Sequence, residues 1–301
     1  MHKHILLTGG TGLIGTHLTN ALLNKGYVVS HLGRKPENNP KVKTYLWDVA
    51  KGEIDETCIN GVDTIVHLAG AGIVDKRWSD ERKKEIIDSR TKSIGLIYQL
   101  IRKKNHVVKT VISASATGYY GDSGAELLTE DSHEGNDFLA EVCIKWEAAA
   151  DEGKDLGLRV VKFRTGIVLD KNGGALPQLA MPVKWGVGSP LGSGEQWTPW
   201  IHWRDVVKMY VYGIEHATLS GVYNMTGPNP VTNKQLAKAV AQQLDKPFWA
   251  PNVPVFVLKL IMGEMRLAVL ESIRTSSKKI EDTGFIFDYP ELPGALKKIY
   301  G

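Results

Sequence analysis

Three short stretches hold the groups whose types and spacing could do chemistry. TGGTGLIG sets Gly9, Gly12 and Gly15 at the spacing needed for a tight turn, close backbone approach to a pyrophosphate and close packing of helix on strand. The backbone from Thr11 through Leu13 and Ile14 to Gly15 then opens a helix, whose unpaired N–H groups and partial positive charge suit phosphate. HLGRKP places Arg34 and Lys35 where an NAD-binding chain would carry an acid for the ribose hydroxyl. Guanidinium pairs its donors with phosphate oxygens, so NADP(H) is the expected cofactor, although nearby Glu37 keeps NAD open. SASATGYYG, Ser113 to Gly121, crowds serine and tyrosine hydroxyls into one segment.

These stretches need elements to hold them. Ile5–Thr8, Val28–Leu32, Thr44–Trp47, Thr64–Leu68, Val107–Ser113 and Arg159–Phe163 are strand-sized apolar runs, and Gly12–Lys25, Asp80–Lys104 and Asp137–Asp155 between them have helical periodicity. That alternation predicts an α/β fold: a Rossmann-like, doubly wound parallel sheet. The triplet of glycines follows the first strand and opens the first helix, the context that gives it meaning. After about Asp170 the chain turns rich in Gly, Pro and Trp. A nucleotide-binding domain over 1–170, rejoined by a helix and strand at about 205–225, and a smaller, partly interleaved C-terminal domain over 171–301 are therefore expected.

At the carboxyl edge of such a sheet, HLAGAG brings Leu68, Ala69, Gly70 and Ala71 to the cofactor, and Asp48, ending the third strand, could bond adenine or hold a turn. Ser113 and Arg164, each ending a strand, are assigned to the same edge, as is Arg90. Trp78, Trp200 and His202, among clustered Trp and Arg residues, are the candidate substrate contacts. Asp205 is expected to cap the following helix.

Bulk properties exclude other classes. The 301 residues are 43% hydrophobic with a net charge of +4, and the basic residues are interspersed with acidic ones, so no nucleic-acid stripe is present. Two cysteines, Cys58 and Cys143, form neither a disulfide framework nor a metal motif. The first strand begins almost at once, and the apolar segment VPVFVLKLIMGEMRLAVL is interrupted by charges, so a cytoplasmic protein outside the membrane is expected.

TGGTGLIG, HLAG, SASATGYYG, FRTGIVLD and WIHWRDVV stand in the order in which the extended short-chain dehydrogenase/reductase (SDR) family has them. The chain resembles that family. FLAEVCIKWEAAA and PVFVLKLIMGEM…GFIFDYPELPGAL are more narrowly similar to its epimerase family proteins, also called nucleoside-diphosphate-sugar epimerase-like. The resemblance implies hydride transfer with a serine, a tyrosine and a lysine four residues beyond it, and homodimers through two helices, here Asp80–Lys104 and Asp137–Asp155. Ser115 matches the serine position. Aligning Glu147 on the family's helix puts Leu139 at the tyrosine position and Cys143 at the lysine position. None of the ten tyrosines has a lysine four residues on.

Two readings follow. One is an NADP(H)-dependent oxidoreductase or epimerase-like enzyme on an unidentified small substrate, of which a nucleotide-linked one is a candidate, with Ser115 polarising the reacting oxygen and Tyr119 or Tyr120 as substitute proton donor. The other is a non-catalytic NADP(H)-binding sensor or regulatory protein.

Overall fold

The computed structural model describes residues 3–301. Eight strands build the central sheet: His4–Thr8 (β1), Val28–Gly33 (β2), Lys43–Asp48 (β3), Glu53–Ile54 (β4), Thr64–His67 (β5), Thr110–Ala116 (β6), Arg159–Thr165 (β7) and Gly221–Met225 (β8). Their order is β8-β7-β6-β5-β1-β2-β3-β4, parallel throughout except for the short edge strand β4, which runs antiparallel to β3. The chain order reverses between β1 and β5. That switch opens a crevice at the carboxyl ends of the strands, where doubly wound folds bind ligands.

Helices Leu13–Asn24 (α1), Asp80–Lys103 (α2), Phe138–Asp151 (α3) and Trp203–Glu215 (α5, after Leu176–Lys184, α4) cover the sheet. Alternation along β1 shows how both faces are filled: Ile5 and Leu7 join Leu18, Phe163 and Tyr210 on one side, while Leu6 joins Ile65, Ile97 and Tyr98 on the other. The basic end Arg102-Lys103 lies in the last turn of α2, where it complements the helix dipole. The chain returns to the sheet late, with α5 followed by β8 beside β7.

A third core belongs to the C-terminal unit. It gathers Leu176, Val183, Leu236, Val240 and Leu296 from α4, from Asn233–Gln243 (α6) and from the helix Leu292–Tyr300, together with Trp200 of the short strand Trp200–His202. This unit is tied back to the first by a parallel pairing of Arg274–Thr275 with Leu127–Leu128. The expected cap of α5 needs correction. His202 Nδ1 accepts the Arg204 N–H at 3.1 Å, whereas buried Asp205 accepts N–H groups from Asp288 and Tyr289 at 2.8 and 3.1 Å. Asp205 is therefore a tether for the C-terminal segment. Among the described residues, no helix is long and apolar enough to cross a membrane.

Candidate functional site

The glycine loop lies where β1 delivers the chain to α1. Gly9 adopts φ +66, and a Cβ there would stand 3.0 Å from the Leu68 carbonyl carbon of the neighbouring strand end. At Gly15 a Cβ would come within 2.2 Å of the Gly9 carbonyl oxygen. No side chain caps α1 and no acid occupies its first turn, so the N–H groups that follow exposed Thr11 and Gly12, on half-buried Leu13 and Ile14 and on Gly15, are left for a ligand. Thr8 Oγ1 takes the N–H groups of Leu68 and Ala69 at 3.1 and 3.0 Å, which fixes the HLAGAG turn alongside; Gly70 is exposed, and Ala69 and Ala71 are half-buried.

At the end of β2, Arg34 and Lys35 are exposed and enter no ion pair among the described residues. Glu37 is committed elsewhere: its carboxylate meets His31 Nδ1 at 2.8 Å, while Thr19 holds the other ring nitrogen at 2.8 Å. The acid that kept NAD open is thus occupied. Asp48 Oδ1 accepts the N–H groups of Ala50 and Lys51, so of its two expected uses the turn is the one seen.

Arg90 reaches from α2 to the same crevice. Its Nη1 donates to the carbonyls of Ala71 and Ile86 at 3.0 and 2.9 Å, its guanidinium lies 4.8 Å over the Trp146 ring, and it borders Gly70. It is 7% exposed, has no carboxylate partner among the described residues, and its buried Nε finds no acceptor. Burial pulls its pKa down to about 10.

Around the SASATGYYG loop the structure revises several roles. Ser113 is fully buried, its hydroxyl turned to the Ala114 carbonyl, so its side chain is not free for a cofactor. Ser115 is 3% exposed and donates to Glu147 Oε1 at 2.8 Å. Its hydrogen is committed, leaving only acceptor capacity toward a substrate. Arg164 spends its donors on Glu147, on Tyr120 Oη and on the Glu130 carbonyl, so the expected cofactor contact is corrected to a structural one. Burial works against its charge, but the Glu147 hydrogen bonds outweigh this and raise its pKa. Tyr120 donates to Asn224 at 2.7 Å and is 3% exposed, so its hydrogen is already placed, and burial pushes its hydroxyl up to about 12, a weaker acid than free tyrosine. Tyr119 is half-buried with Arg164 stacked 3.4 Å from its ring centre and its hydroxyl 3.3 Å from Glu134.

Two substrate candidates are likewise corrected. Trp200 is fully buried in the third core with its Nε1 on the Asn229 carbonyl, because a large apolar ring is more stable there than in a loop. His202 is fully buried as the cap of α5 and stacks 3.9 Å from Tyr289; burial holds its pKa down to about 4. Trp78 stays half-buried, 4.8 Å from Phe138, which lines a pocket of about 440 Å³ between Lys83 of α2 and the stretch Gly135–Phe138 that leads into α3. Leu139 and Cys143, where the resemblance puts the relay pair, are buried, and burial pushes the Cys143 thiol up to about 12. Sequence reasoning used Glu147 only as an alignment mark and missed it as the partner of Ser115. Its signal was an acid on the buried face of α3, four residues beyond Cys143.

Comparisons with known proteins agree with this architecture. Residues 5–226 match the NAD dependent epimerase/dehydratase family, and residues 253–299 match a domain of unknown function, DUF1731. The epimerase family protein YfhF of Bacillus subtilis is 38% identical over 298 residues, covering 98% of this chain and 97% of that one. Among solved structures, human epimerase family protein SDR39U1 (isoform 2) with NADPH is 32% identical, covers 99% of both chains and superposes with a TM-score of 0.87. A nucleoside-diphosphate sugar epimerase from Corynebacterium glutamicum is 34% identical with a TM-score of 0.81 and covers all of this chain but 59% of its own.

Proposed function

This chain belongs to the NAD dependent epimerase/dehydratase family, and from that premise we propose that it binds NADP(H) and moves hydride to or from a small, nucleotide-linked substrate. The observation that carries the cofactor is the pairing of a side-chain-free cradle at Gly9 and Gly15 with the unpaired cations Arg34 and Lys35, while Glu37 is held by His31. The human relative solved with NADPH supports the same choice.

Within this reading the first turn of α1 and the Gly9–Gly15 backbone bind the pyrophosphate, and Arg34 with Lys35 takes the 2′-phosphate. Leu68–Ala71 lines the crevice opposite. Arg90, a buried cation without a carboxylate, suits the negative charge of the phosphates beside Gly70. Bound NADPH supplies the hydride. Ser115, whose hydroxyl hydrogen is donated to Glu147, accepts from a substrate hydroxyl, and Trp78 with Phe138 offers an aromatic wall for the substrate. The division at residue 170, homodimers through α2 and α3, and a cytoplasmic setting belong to the same reading.

The burial of Leu139 and Cys143 favours a second reading, a cofactor-binding sensor without turnover. Titration with NADPH and NADH, followed by fluorescence and thermal shift in wild type and Arg34→Ala, tests the shared base of both. Selective weakening of NADPH is expected. Equal binding of the two nucleotides by wild type would sink the phosphate assignment. Turnover of carbonyl or sugar-nucleotide probes, abolished in Ser115→Ala, separates enzyme from sensor.

A further inference from the structure

The chain that leaves β6 after Ser115 runs on through Gly121–Gly124, and there it meets a segment of the C-terminal unit. Ser272 N donates to Asp122 Oδ1 at 3.1 Å, Ser123 N donates to the Ser272 carbonyl at 2.9 Å, and the Ser272 hydroxyl donates to the Gly124 carbonyl. From the other side Trp197 N donates to Ser272 Oγ at 3.0 Å and Gln196 Nε2 to the Val269 carbonyl at 3.1 Å. Glu271 sits inside this clamp. Its carboxyl group is half-buried and has no hydrogen-bond or ion-pair partner among the described residues.

The charged groups facing it come from two other segments. Asp122 belongs to the loop after β6 and Asp137 to the start of α3, and no cation pairs with either among the described residues. Each already has an oxygen in use: Asp137 Oδ1 takes the N–H groups of Leu139 and Ala140 at 2.7 and 3.0 Å, and Asp122 Oδ1 takes those of Ser272 and Gly124. Burial, then Asp137 and Asp122, push the Glu271 carboxyl up to about 8. Asp137 also lines the pocket beside α3 and precedes Leu139 by two residues. The clamp thus holds Glu271 against the Gly121–Gly124 loop, which packs on Asp137 at the start of α3, two residues before the position where the resemblance puts the relay tyrosine and this chain has leucine.

We propose that Glu271 is the proton donor of this cleft, supplied by the C-terminal unit where α3 offers none. The proposal rests on the NADPH-dependent reading and names the residue that reading lacks. In carbonyl reduction the substrate carbon accepts the hydride of NADPH, the carbonyl oxygen takes the Glu271 proton, and C=O becomes CH–OH. NADP+ leaves, and the carboxylate regains a proton from water. In the oxidative direction the carboxylate takes the hydroxyl proton as hydride departs to NADP+.

Infrared difference spectra of the full chain across the neutral and alkaline range, in wild type and Glu271→Gln, test the proton-carrying state without cofactor. A protonated-carboxyl band at neutral pH, titrating away with a midpoint near 8 and missing from the variant, is expected. With NADPH and the probes 4-nitrobenzaldehyde and phenanthrenequinone, wild-type reduction should fall along the same alkaline limb. Glu271→Gln, similar in volume, should reduce them about a hundredfold more slowly or worse with NADPH affinity unchanged. Absence of the band at neutral pH, its persistence in the variant, or undiminished reduction by the variant overturns the proposal, as does a wild type that binds NADPH yet reduces neither probe. A wild type that fails to bind NADPH sinks the cofactor reading, and the carboxyl titration distinguishes that failure from this one.

Discussion

Ser115 donates its hydroxyl hydrogen to Glu147 at 2.8 Å, and Arg164 Nε grips the same carboxylate oxygen at 2.8 Å, with all three side chains shielded from solvent. The serine that family chemistry would aim at substrate is therefore the neutral end of a buried ion pair joining β6, α3 and β7.

Removing the acid is much costlier than removing the hydroxyl. Glu147→Ala leaves Arg164 buried without its carboxylate and should lose about 3–5 kcal/mol of stability. Ser115→Ala keeps the ion pair and should lose about 1–3 kcal/mol. Urea unfolding of the two variants checks the order; equal losses would contradict it.

Gly15→Ala should abolish nucleotide binding and lower Tm. The new Cβ would meet the Gly9 carbonyl oxygen at 2.2 Å, a backbone atom that cannot swing aside as a side-chain end can. Either the glycine loop moves or α1 separates from β1, and both outcomes remove the NADPH-dependent thermal shift.

Arg90→Met should act in opposite directions on fold and ligand. Losing a buried cation that has no carboxylate removes a desolvation cost and should raise the Tm of the ligand-free protein. The same change should shrink the stabilisation by saturating NADPH. Thermal melts with and without nucleotide read both effects, and a lower ligand-free Tm would refute the first.

Stability should decline toward both ends of the pH scale, for different reasons. Glu271 titrates near 8 when folded against 4.5 ordinarily, so its contribution is full below 4.5 and is lost as pH rises through 8. His67 and His202 are held down by burial to about 3 and 4, against 6.5 ordinarily, so their contribution is present above 6.5 and is lost as pH falls toward those values. Melting curves across pH for wild type and Glu271→Gln separate the limbs: the variant should keep the acid decline and lose the alkaline one.

Much of the scaffold was legible because its signals are local. The strands β1, β2, β3 and β5 and the helices α1 and α2 start and stop within a few residues of where periodicity sets them, since each buries one or both faces of a regular element. β4, a two-residue edge pairing, carries no period to read. At the site, glycine spacing and Arg34-Lys35 describe a loop in one dimension and could be read there. Trp200 and His202 could not, because a Trp-rich loop looks the same in sequence whether its rings face a ligand or fill a third core. Ser115 with Glu147, and Glu271 with Asp137, are partners from segments far apart in the chain, joined only when the sheet and the C-terminal unit close.

The pairing of Leu127–Leu128 with Arg274–Thr275 also sets a schedule for synthesis. The ribosome makes the second strand about 150 residues after the first, on the order of ten seconds later at typical elongation rates. Through that interval β1 to β7 can assemble while the loop beyond Ser115 waits with an open edge and without Glu271. Nascent chains should therefore acquire the nucleotide cradle before the complete cleft, and a ribosome stalled before Glu271 should display a fold able to hold dinucleotide while its cleft still lacks the C-terminal carboxyl.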